Sequence, residues 1–292
     1  TGFIGRPLCR LLAGGGQPTT VLTRHLEAQP PQEGVRFVSW QADAWPRVIS
    51  EADAIVNLAG ESIAANRWSP RQKARIHDSR VETTRRLVDA VAAASRKPAV
   101  LISASAIGYY GDRADEPLVE ASSRGAGFLA DLCQAWEAEA ARAESLGVRV
   151  VRLRIGIALG RGGGALAKMV PPFVFGIGGP LGSGRQWMSW IHLDDVIGMI
   201  HWALTTPQVA GAVNATAPEP VTMKQFAAAL GRVLHRPSWA PVPAVMVRLL
   251  LGEMSELVLA SQRVMPDAAV RHGYTFRYPA LAGALSACLG RK

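Results

Sequence analysis

The chain has 292 residues, of which 49% are hydrophobic and 19% charged, and its formal net charge is +9. This composition supports a sizeable buried core and excludes a disordered or collagen-like chain, while the length indicates one large domain, with or without a small lobe. The positive charge comes mostly from arginines scattered along the chain, so we expect no nucleic-acid partner. Three cysteines (Cys9, Cys133 and Cys288) are too few for a disulfide framework or a zinc cluster, which favours a reducing compartment.

The first half of the chain alternates helix and strand patterns. Helices are predicted over 6–12, 71–94 and 128–145, and strands over 19–23, 35–40, 54–58, 99–105 and 148–153. Such alternation predicts right-handed βαβ units, and therefore an α/β fold with a doubly wound parallel sheet of the Rossmann type.

The second half of the chain has a different composition and a less regular pattern of helices and strands. Residues 161–184 are rich in glycine and proline, Thr222 is a predicted N-cap, 237–243 is a linker, and 244–260 indicates an amphipathic helix. We therefore predict a core over residues 1–160, with its first strand missing before Thr1, and substrate-side segments plus a small C-terminal lobe over 161–292, partly returning to the core. No stretch is long and apolar enough for a membrane helix, so a cytoplasmic protein without a membrane partner is expected.

Ligands of parallel sheets lie at the carboxyl ends of the strands, which places several short segments on one edge. The first is a glycine turn before a helix, formed by Gly2, Phe3, Ile4 and Gly5. Glycines let the backbone approach a diphosphate, and the helix N-terminus favours its negative charge. The turn therefore predicts a dinucleotide cofactor.

The end of the next strand indicates which dinucleotide is bound. An acid there would hold the ribose 2′-hydroxyl of NAD, but the chain has Thr23 and Arg24. A guanidinium and a hydroxyl suit a 2′-phosphate, so NADP(H) is the predicted cofactor. The small turn Leu58, Ala59 and Gly60 would accommodate its adenosine half.

Sequence motifs along nearly the whole chain resemble those of a known family. They include TGFIG (1–5), VNLAGESIA (56–64), DSRVETTRRLV (78–88), SASAIGYYGD (103–112), FLADLCQAWE (128–137), RIGIALGRGGGALAKM (154–169), FGIGGPLGSGRQWMSWIHLDD (175–195) and LLLGEMSELVLASQRVMP (249–266). The chain resembles the extended short-chain dehydrogenase/reductase superfamily, and more closely its atypical "epimerase family" oxidoreductases with a C-terminal domain of unknown function. The resemblance implies a Rossmann core that binds NADP(H), and adds Arg80 and Ala158 to the cofactor contacts named above.

The chain departs from this superfamily at the catalytic pair. Typical members use Tyr-x-x-x-Lys on a helix, whereas the two registers that fit here give Leu129 with Cys133 or Phe128 with Leu132. A proton donor for carbonyl reduction must then lie elsewhere. We expect Ser105, Tyr109 and Tyr110 as catalytic candidates, because all three follow or end a strand on the same edge of the sheet.

A second departure concerns the substrate. Nucleotide-sugar enzymes carry an arginine for the diphosphate where this chain has Met188, flanked by Trp187 and Trp190. We therefore expect a lid over a flatter and more apolar small molecule, with Arg185 as a compensating cation. The nearby His192, Asp194 and Asp195 are expected to cap a helix, and no metal is expected.

Three functions remain open. The first is an NADP(H)-dependent oxidoreductase that acts on an unknown small molecule. The second is a non-catalytic NADPH-binding sensor or scaffold, and the third, disfavoured by Met188, is a nucleotide-sugar epimerase. Superfamily members often dimerise through two long helices, which correspond to 71–94 and 128–145, so a homodimer is one alternative. Trp136 would then lie either in that interface or in the core.

Overall fold

Parallel strands form the centre of the fold in a computed structural model that describes residues 2–41 and 45–290. The strands are β1 (Thr19–Thr23), β2 (Val35–Ser39), β3 (Ala54–Asn57), β4 (Val100–Ala106), β5 (Pro117–Leu118), β6 (Arg149–Ile155), β7 (Ile157–Leu159), β8 (Trp187–Met188), β9 (Trp190–His192), β10 (Gly211–Ala215), β11 (Val221–Thr222) and β12 (Arg263–Val264). The largest sheet has the order β10-β6-β4-β3, and β1 pairs with β2; every one of these pairings is parallel. The Rossmann-type fold predicted from the alternating pattern is confirmed.

Helices cover both faces of the sheet. They are α1 (Gly5–Gly14), α2 (Trp45–Glu51), α3 (Pro70–Asp78), α4 (Val81–Ala93), α5 (Phe128–Ala141), α6 (Gly164–Val174), α7 (Leu193–Thr205), α8 (Met223–Leu234), α9 (Ala244–Leu251), α10 (Glu256–Leu259), α11 (Asp267–Arg271) and α12 (Leu281–Leu289). Within residues 2–41 and 45–290, no helix has the length and apolar character needed to cross a membrane.

Strand β4 shows how the two faces are filled. Successive side chains of a strand point to opposite faces, and six of its seven residues are buried. Ile102 packs in a cluster with residues of α7 and with Leu8 of α1, whereas Leu101 packs in a cluster with residues of α4 and α5. A run that is apolar on both faces is typical of a central parallel strand covered by helices on each side.

The segments after residue 160 divide between this core and a second one. Strand β10 joins the large sheet beside β6, and α7 covers one of its faces. Helices α6, α8 and α12 surround a separate apolar cluster that contains Phe226 and Leu285. The predicted N-cap of α8 is confirmed, since Thr222 and Gln225 form a reciprocal capping box.

The helix predicted over 71–94 is wrong in one respect, because the structure divides it into α3 and α4. Between them, the Ser79 hydroxyl donates to the carbonyl of Ile76 and accepts from the N–H of Glu61. The Arg80 guanidinium also bonds the carbonyl of Glu61. The break therefore serves to hold the loop that follows β3, a tertiary contact that no helical pattern reveals.

The helix predicted over 244–260 is also interrupted. Helix α9 ends at Leu251 because Gly252 adopts a φ of +59°, a left-handed conformation that favours glycine. A 3₁₀ turn over Gly252–Ser255 then leads into the short α10. The apolar residues of this region consequently face several directions instead of lining one helix face.

The centre of β6 is a direct test of the core. Leu153 is fully buried, so Leu153→Ala should lower the free energy of unfolding by about 2–5 kcal/mol through lost burial and a residual cavity. Leu11→Ala, at an exposed position of α1, is the matched control and should change the free energy of unfolding by about 0.5 kcal/mol. Urea denaturation measures both values. Equal losses in the two variants would contradict this account of the sheet as the centre of the core.

Candidate functional site

The turn before α1 is free to receive an anion. The first helical bond runs from the N–H of Arg6 to the carbonyl of Gly2, and no side chain within residues 2–41 and 45–290 caps the helix. The first N–H groups of a helix lack internal acceptors and carry partial positive charge. A Cβ on the exposed Gly2 would meet no atom within 4 Å, so packing by the described residues does not require glycine there. Thr1 lies outside the described residues.

The end of β1 presents a cation to solvent. The hydroxyl of the buried Thr23 accepts a hydrogen bond from the N–H of His25 at 3.3 Å, which shapes the turn between them. Arg24 lies on this turn, exposed, and within the described ranges it makes no hydrogen bond or ion pair. None of the residues in these ranges engages its guanidinium donors, which could therefore bind an anion.

The loop after β3 is built by a buried amide. Asn57 accepts from the N–H of Ala59 at 3.2 Å and donates to the Thr84 hydroxyl at 2.9 Å. The indole of Trp136 donates to the same hydroxyl at 3.0 Å, which places Trp136 in the core. Leu58 is half-buried between two apolar clusters. The motif NLAG (57–60) thus depends on its asparagine, because Asn57 fixes the backbone of the two small residues that follow Leu58.

Arg80 also holds the loop that follows β3. Its guanidinium donates to the carbonyls of Ile76 and Glu61 at 3.2 and 2.9 Å and lies about 3.1 Å from where a Cβ on Gly60 would stand. Burial lowers the pKa of Arg80. The resemblance implies that Arg80 contacts the cofactor, and the structure gives it a supporting position beneath Gly60, so the direct contact stays a prediction.

The Gly-rich segment after β7 closes around Phe3. A Cβ on Gly160 or Gly163 would lie 2.8 or 2.7 Å from the Phe3 ring, so only glycine leaves room for it. The backbone of Ala158 on β7 stands beside the same loop, since its carbonyl lies 3.0 Å from a Cβ on Gly164. Phe3, Ala158 and this loop are therefore brought together at the start of α1.

A buried polar network occupies the carboxyl ends of β4 and β6. Glu137 of α5 and Arg154 of β6 form two parallel hydrogen bonds of 2.8 Å, and both residues are buried. The Ser105 hydroxyl donates to Glu137 at 2.6 Å, and the Tyr110 hydroxyl accepts from Arg154 at 2.9 Å. Ser105 is a predicted catalytic residue, and its hydroxyl proton is engaged with the Glu137 carboxylate, so its catalytic role stays a prediction.

Tyr110 is a correction to the catalytic candidates. Its side chain is fully buried, and its hydroxyl lies 2.7 Å from Asn214 Oδ1 on β10. Burial raises the pKa of Tyr110 to about 12. Because its side chain has no access to the surface and its hydroxyl is bonded to both Arg154 and Asn214, Tyr110 serves the network instead.

Tyr109 is placed differently from its neighbour. It is half-buried, and the Arg154 guanidinium lies 3.5 Å from the centre of its ring. The Lys168 ammonium donates to the carbonyl of Ala64 at 2.6 Å, on the loop after β3. Cys133, which takes the second position of the pair in one of the two registers, is buried, and desolvation raises its pKa to about 12. Tyr109 therefore stays a prediction as the proton donor.

Two of the residues that were expected to form a lid over the substrate do not line an open pocket. Trp190 is fully buried, with its indole donating to the carbonyl of Glu219, and Met188 is 5% exposed in the same apolar cluster. Their expected role in lining a pocket is corrected, because they fill the second core. Trp187 is half-buried, its indole donates to Asp115 at 2.8 Å, and the Arg263 guanidinium lies over its ring. Arg185 is exposed. For Trp187 and Arg185 the expected contact with the substrate stays a prediction.

The start of α7 is structural. His192 Nδ1 accepts from the N–H of Asp194 at 3.1 Å and caps the helix. The buried Asp195 accepts from the N–H groups of Arg277 and Tyr278 at 2.7 and 2.9 Å, which ties the last part of the chain to α7. Across the part of the chain that the structure describes, no group of three metal-ligating side chains is found.

A doubly wound parallel sheet with an uncapped glycine turn at its first helix defines a Rossmann protein of the dinucleotide-binding type. Residues 1–215 match the NAD dependent epimerase/dehydratase family, and residues 242–288 match a domain of unknown function, DUF1731. The chain belongs to the NAD dependent epimerase/dehydratase family, which confirms the resemblance seen in its motifs.

Three relatives illustrate the similarity. The chloroplastic epimerase family protein SDR39U1 homolog of Arabidopsis thaliana is 42% identical over 99% of this chain and 84% of its own length. The structure of human epimerase family protein SDR39U1 (isoform 2) with NADPH has a TM-score of 0.88 and 33% identity, and covers 99% of this chain and 96% of that one. A nucleoside-diphosphate sugar epimerase from Corynebacterium glutamicum has a TM-score of 0.79 and 34% identity, over 99% of this chain and 56% of that one.

The two neighbouring tyrosines offer a matched test of the network. Tyr110→Phe should lower the free energy of unfolding by about 1–3 kcal/mol, because it removes a partner from the buried Arg154 and Asn214. Tyr109→Phe keeps the ring over Arg154 and should change that free energy by about 0.5 kcal/mol. Chemical denaturation measures both; a larger loss in Tyr109→Phe would show that the roles are assigned the wrong way round.

Proposed function

We propose that this chain is an NADP(H)-dependent oxidoreductase that acts on a small molecule. The observation that carries the proposal is Arg24 at the end of β1, which has no hydrogen-bond or ion-pair partner among residues 2–41 and 45–290 and stands where an NAD-binding protein would place an acid. The structure of the human relative with NADPH supports the same choice. A cytoplasmic location is part of the proposal, supported by three free and buried cysteines.

The residues present fit such a dinucleotide. The N–H groups at the start of α1 would hold its diphosphate, with Gly2 and Gly5 letting the backbone come close. Thr23 and Arg24 would hold the 2′-phosphate, where a guanidinium can donate two hydrogen bonds at once. The loop of Leu58, Ala59 and Gly60, held by Asn57 and Arg80, would lie beneath the cofactor. NADP(H), when bound, supplies the hydride chemistry.

The substrate side depends on Tyr109. Among the predicted catalytic residues it alone is half-buried and keeps a hydroxyl outside the buried network, since Ser105 and Tyr110 are both engaged. The Tyr109 hydroxyl would donate a proton to a substrate carbonyl, with the Arg154 guanidinium stacked on its ring. Arg185 and Trp187 would stand on the substrate side of the cleft.

A second candidate function is a non-catalytic NADPH-binding sensor or scaffold. The observation that favours it is the inert character of the catalytic helix, where Cys133 is buried with a pKa raised to about 12 by desolvation. A third, nucleotide-sugar epimerisation, gains support from the sugar epimerase similar in structure. It is disfavoured by the apolar Met188, which is buried where such enzymes place an arginine.

Cofactor preference is tested by removing the guanidinium. Arg24→Ala should weaken NADPH binding about 10- to 100-fold, the loss expected for a charge-assisted contact, and should change NADH binding less than about 2-fold. Calorimetry on the purified protein measures both affinities. Arg271→Ala, an exposed arginine paired with Asp267, is the control and should leave both unchanged. Equal weakening for NADPH and NADH in Arg24→Ala would refute the assignment.

Catalysis is tested separately from binding. The protein loaded with NADPH is mixed with carbonyl, quinone and enone libraries, and oxidation of the cofactor is followed by its absorbance. Turnover that Tyr109→Phe reduces by about 100-fold or more would support the oxidoreductase, since general acid catalysis contributes about that much. Binding of NADPH without turnover of any class would favour the sensor.

A further inference from the structure

We propose that a cavity between α1 and the segment that joins β1 to β2 is a binding site for a small phosphate ester, separate from the proposed cofactor site. The cavity has a volume of about 140 Å³. It is lined by two arginines, two glutamines and two apolar residues, namely Arg6, Arg10, Gln29, Gln32, Pro30 and Phe37. The residues proposed to hold NADP(H) are not among those that line it.

One face of α1 forms a wall of the cavity. Arg6, Arg10 and Ala13 share this face, because residues three and four positions apart are neighbours on a helix. The face is turned toward the joining segment, since a Cβ on Gly34 would lie 3.0 Å from the Ala13 Cβ. Gly34 has a φ of +72°, a conformation that favours glycine and turns the chain into β2. The helix and the joining segment are therefore packed together beside the cavity.

The protein does not compensate the charge of the two arginines. Arg6 and Arg10 are exposed, and neither guanidinium has a hydrogen-bond or ion-pair partner among residues 2–41 and 45–290. By contrast, Arg36 on the adjacent strand β2 and Arg47 on α2 both pair with Glu51. No acid is found among the described residues that line the cavity. The cavity therefore presents two positive charges to whatever enters it.

These cations stand where they weaken the helix unless an anion is bound. Arg6 lies in the first turn of α1, where the helix dipole disfavours a positive charge. Arg10 follows four residues later, so two like charges repel each other along one helix face. A local arrangement that works against its own helix is typical of a functional position. An anion held between the two guanidinium groups would remove both unfavourable effects, because it neutralises their charge.

The lining favours a phosphate that carries a flat apolar group. A guanidinium can donate two parallel hydrogen bonds to phosphate oxygens, so Arg6 and Arg10 suit the phosphate. Pro30 and Phe37 add apolar surface against which a ring can pack. Ligand pockets commonly combine such apolar walls with a few polar groups that fix the orientation of the ligand. Phenyl phosphate contains both parts and is the probe for this site.

The joining segment connects the cavity to the turn that carries Arg24. Gln29 lines the cavity, and its side chain donates to the carbonyl of His25 at 3.1 Å. The N–H of His25 in turn donates to the Thr23 hydroxyl at 3.3 Å. A ligand that packs against Gln29 would therefore order this turn. This link rests on the proposed function, and it implies that phenyl phosphate and NADPH strengthen each other's binding by the same factor.

Calorimetry on the purified protein at low ionic strength tests the site. Phenyl phosphate should bind about 10-fold more tightly than inorganic phosphate, because its ring buries apolar surface. Arg6→Gln and Arg10→Gln should each weaken phenyl phosphate binding about 10-fold, the loss expected for a charge-assisted contact. Arg24→Ala and the control Arg271→Ala should change it less than about 2-fold. Circular dichroism checks that each variant remains folded.

Three results would overturn the proposal. One is the absence of phenyl phosphate binding at millimolar concentration. Another is binding that survives both Arg6→Gln and Arg10→Gln, which would place the anion elsewhere. A third is binding that NADPH blocks and Arg24→Ala abolishes, which would make the cavity part of the cofactor site. Failure of the proposed function looks different, since NADPH would then not bind while phenyl phosphate binding still depends on both arginines.

Discussion

The buried ion pair between Glu137 and Arg154 is the interaction on which the functional edge of the sheet depends. It joins α5 to β6, and through Ser105 and Tyr110 it reaches β4 and Asn214 on β10. Burying two charges is costly unless each remaining donor and acceptor finds a partner. Here Ser105, Tyr110 and Asn214 provide the further hydrogen bonds of the network. The network offsets the cost of burial by holding strands β4, β6 and β10 and helix α5 in register.

This network also decides which residues are available for chemistry. A serine and a tyrosine at the end of a central strand resemble catalytic residues, yet both have their hydroxyl groups engaged inside the protein. Tyr109, one residue away, has its ring over the cation and its edge toward Tyr110. In both registers of α5 that fit the Tyr-x-x-x-Lys pattern of the superfamily, this chain has apolar residues or a buried thiol at the two positions.

The two ends of the candidate site rest on different kinds of structure. The cofactor end begins with two local turns, at the start of α1 and after β1, each shaped by residues within a few positions. The loop after β3 combines a local bond from Ala59 to Asn57 with distant support from Ser79 and Arg80. The substrate end depends on segments far apart in the chain. Phe3 packs into glycines 160–164, and Lys168 of α6 bonds the loop after β3. Helix α9 of the C-terminal lobe carries exposed apolar side chains, among them Val245, Met246 and Leu249.

The sequence by itself determined the alternation of strands and helices, the glycine turn, the capping box at Thr222 and the basic residue at the end of β1. Each of these depends on periodicity or on neighbours a few residues apart, so the pattern is visible without the fold. Only the tertiary structure decided the break between α3 and α4, the burial of Tyr110, Met188 and Trp190, and the exposure of α9. These features arise from partners that lie distant in sequence, such as Glu61, Arg154 and Glu219. The sequence alone does not distinguish an aromatic or apolar residue that fills a core from one that lines a pocket.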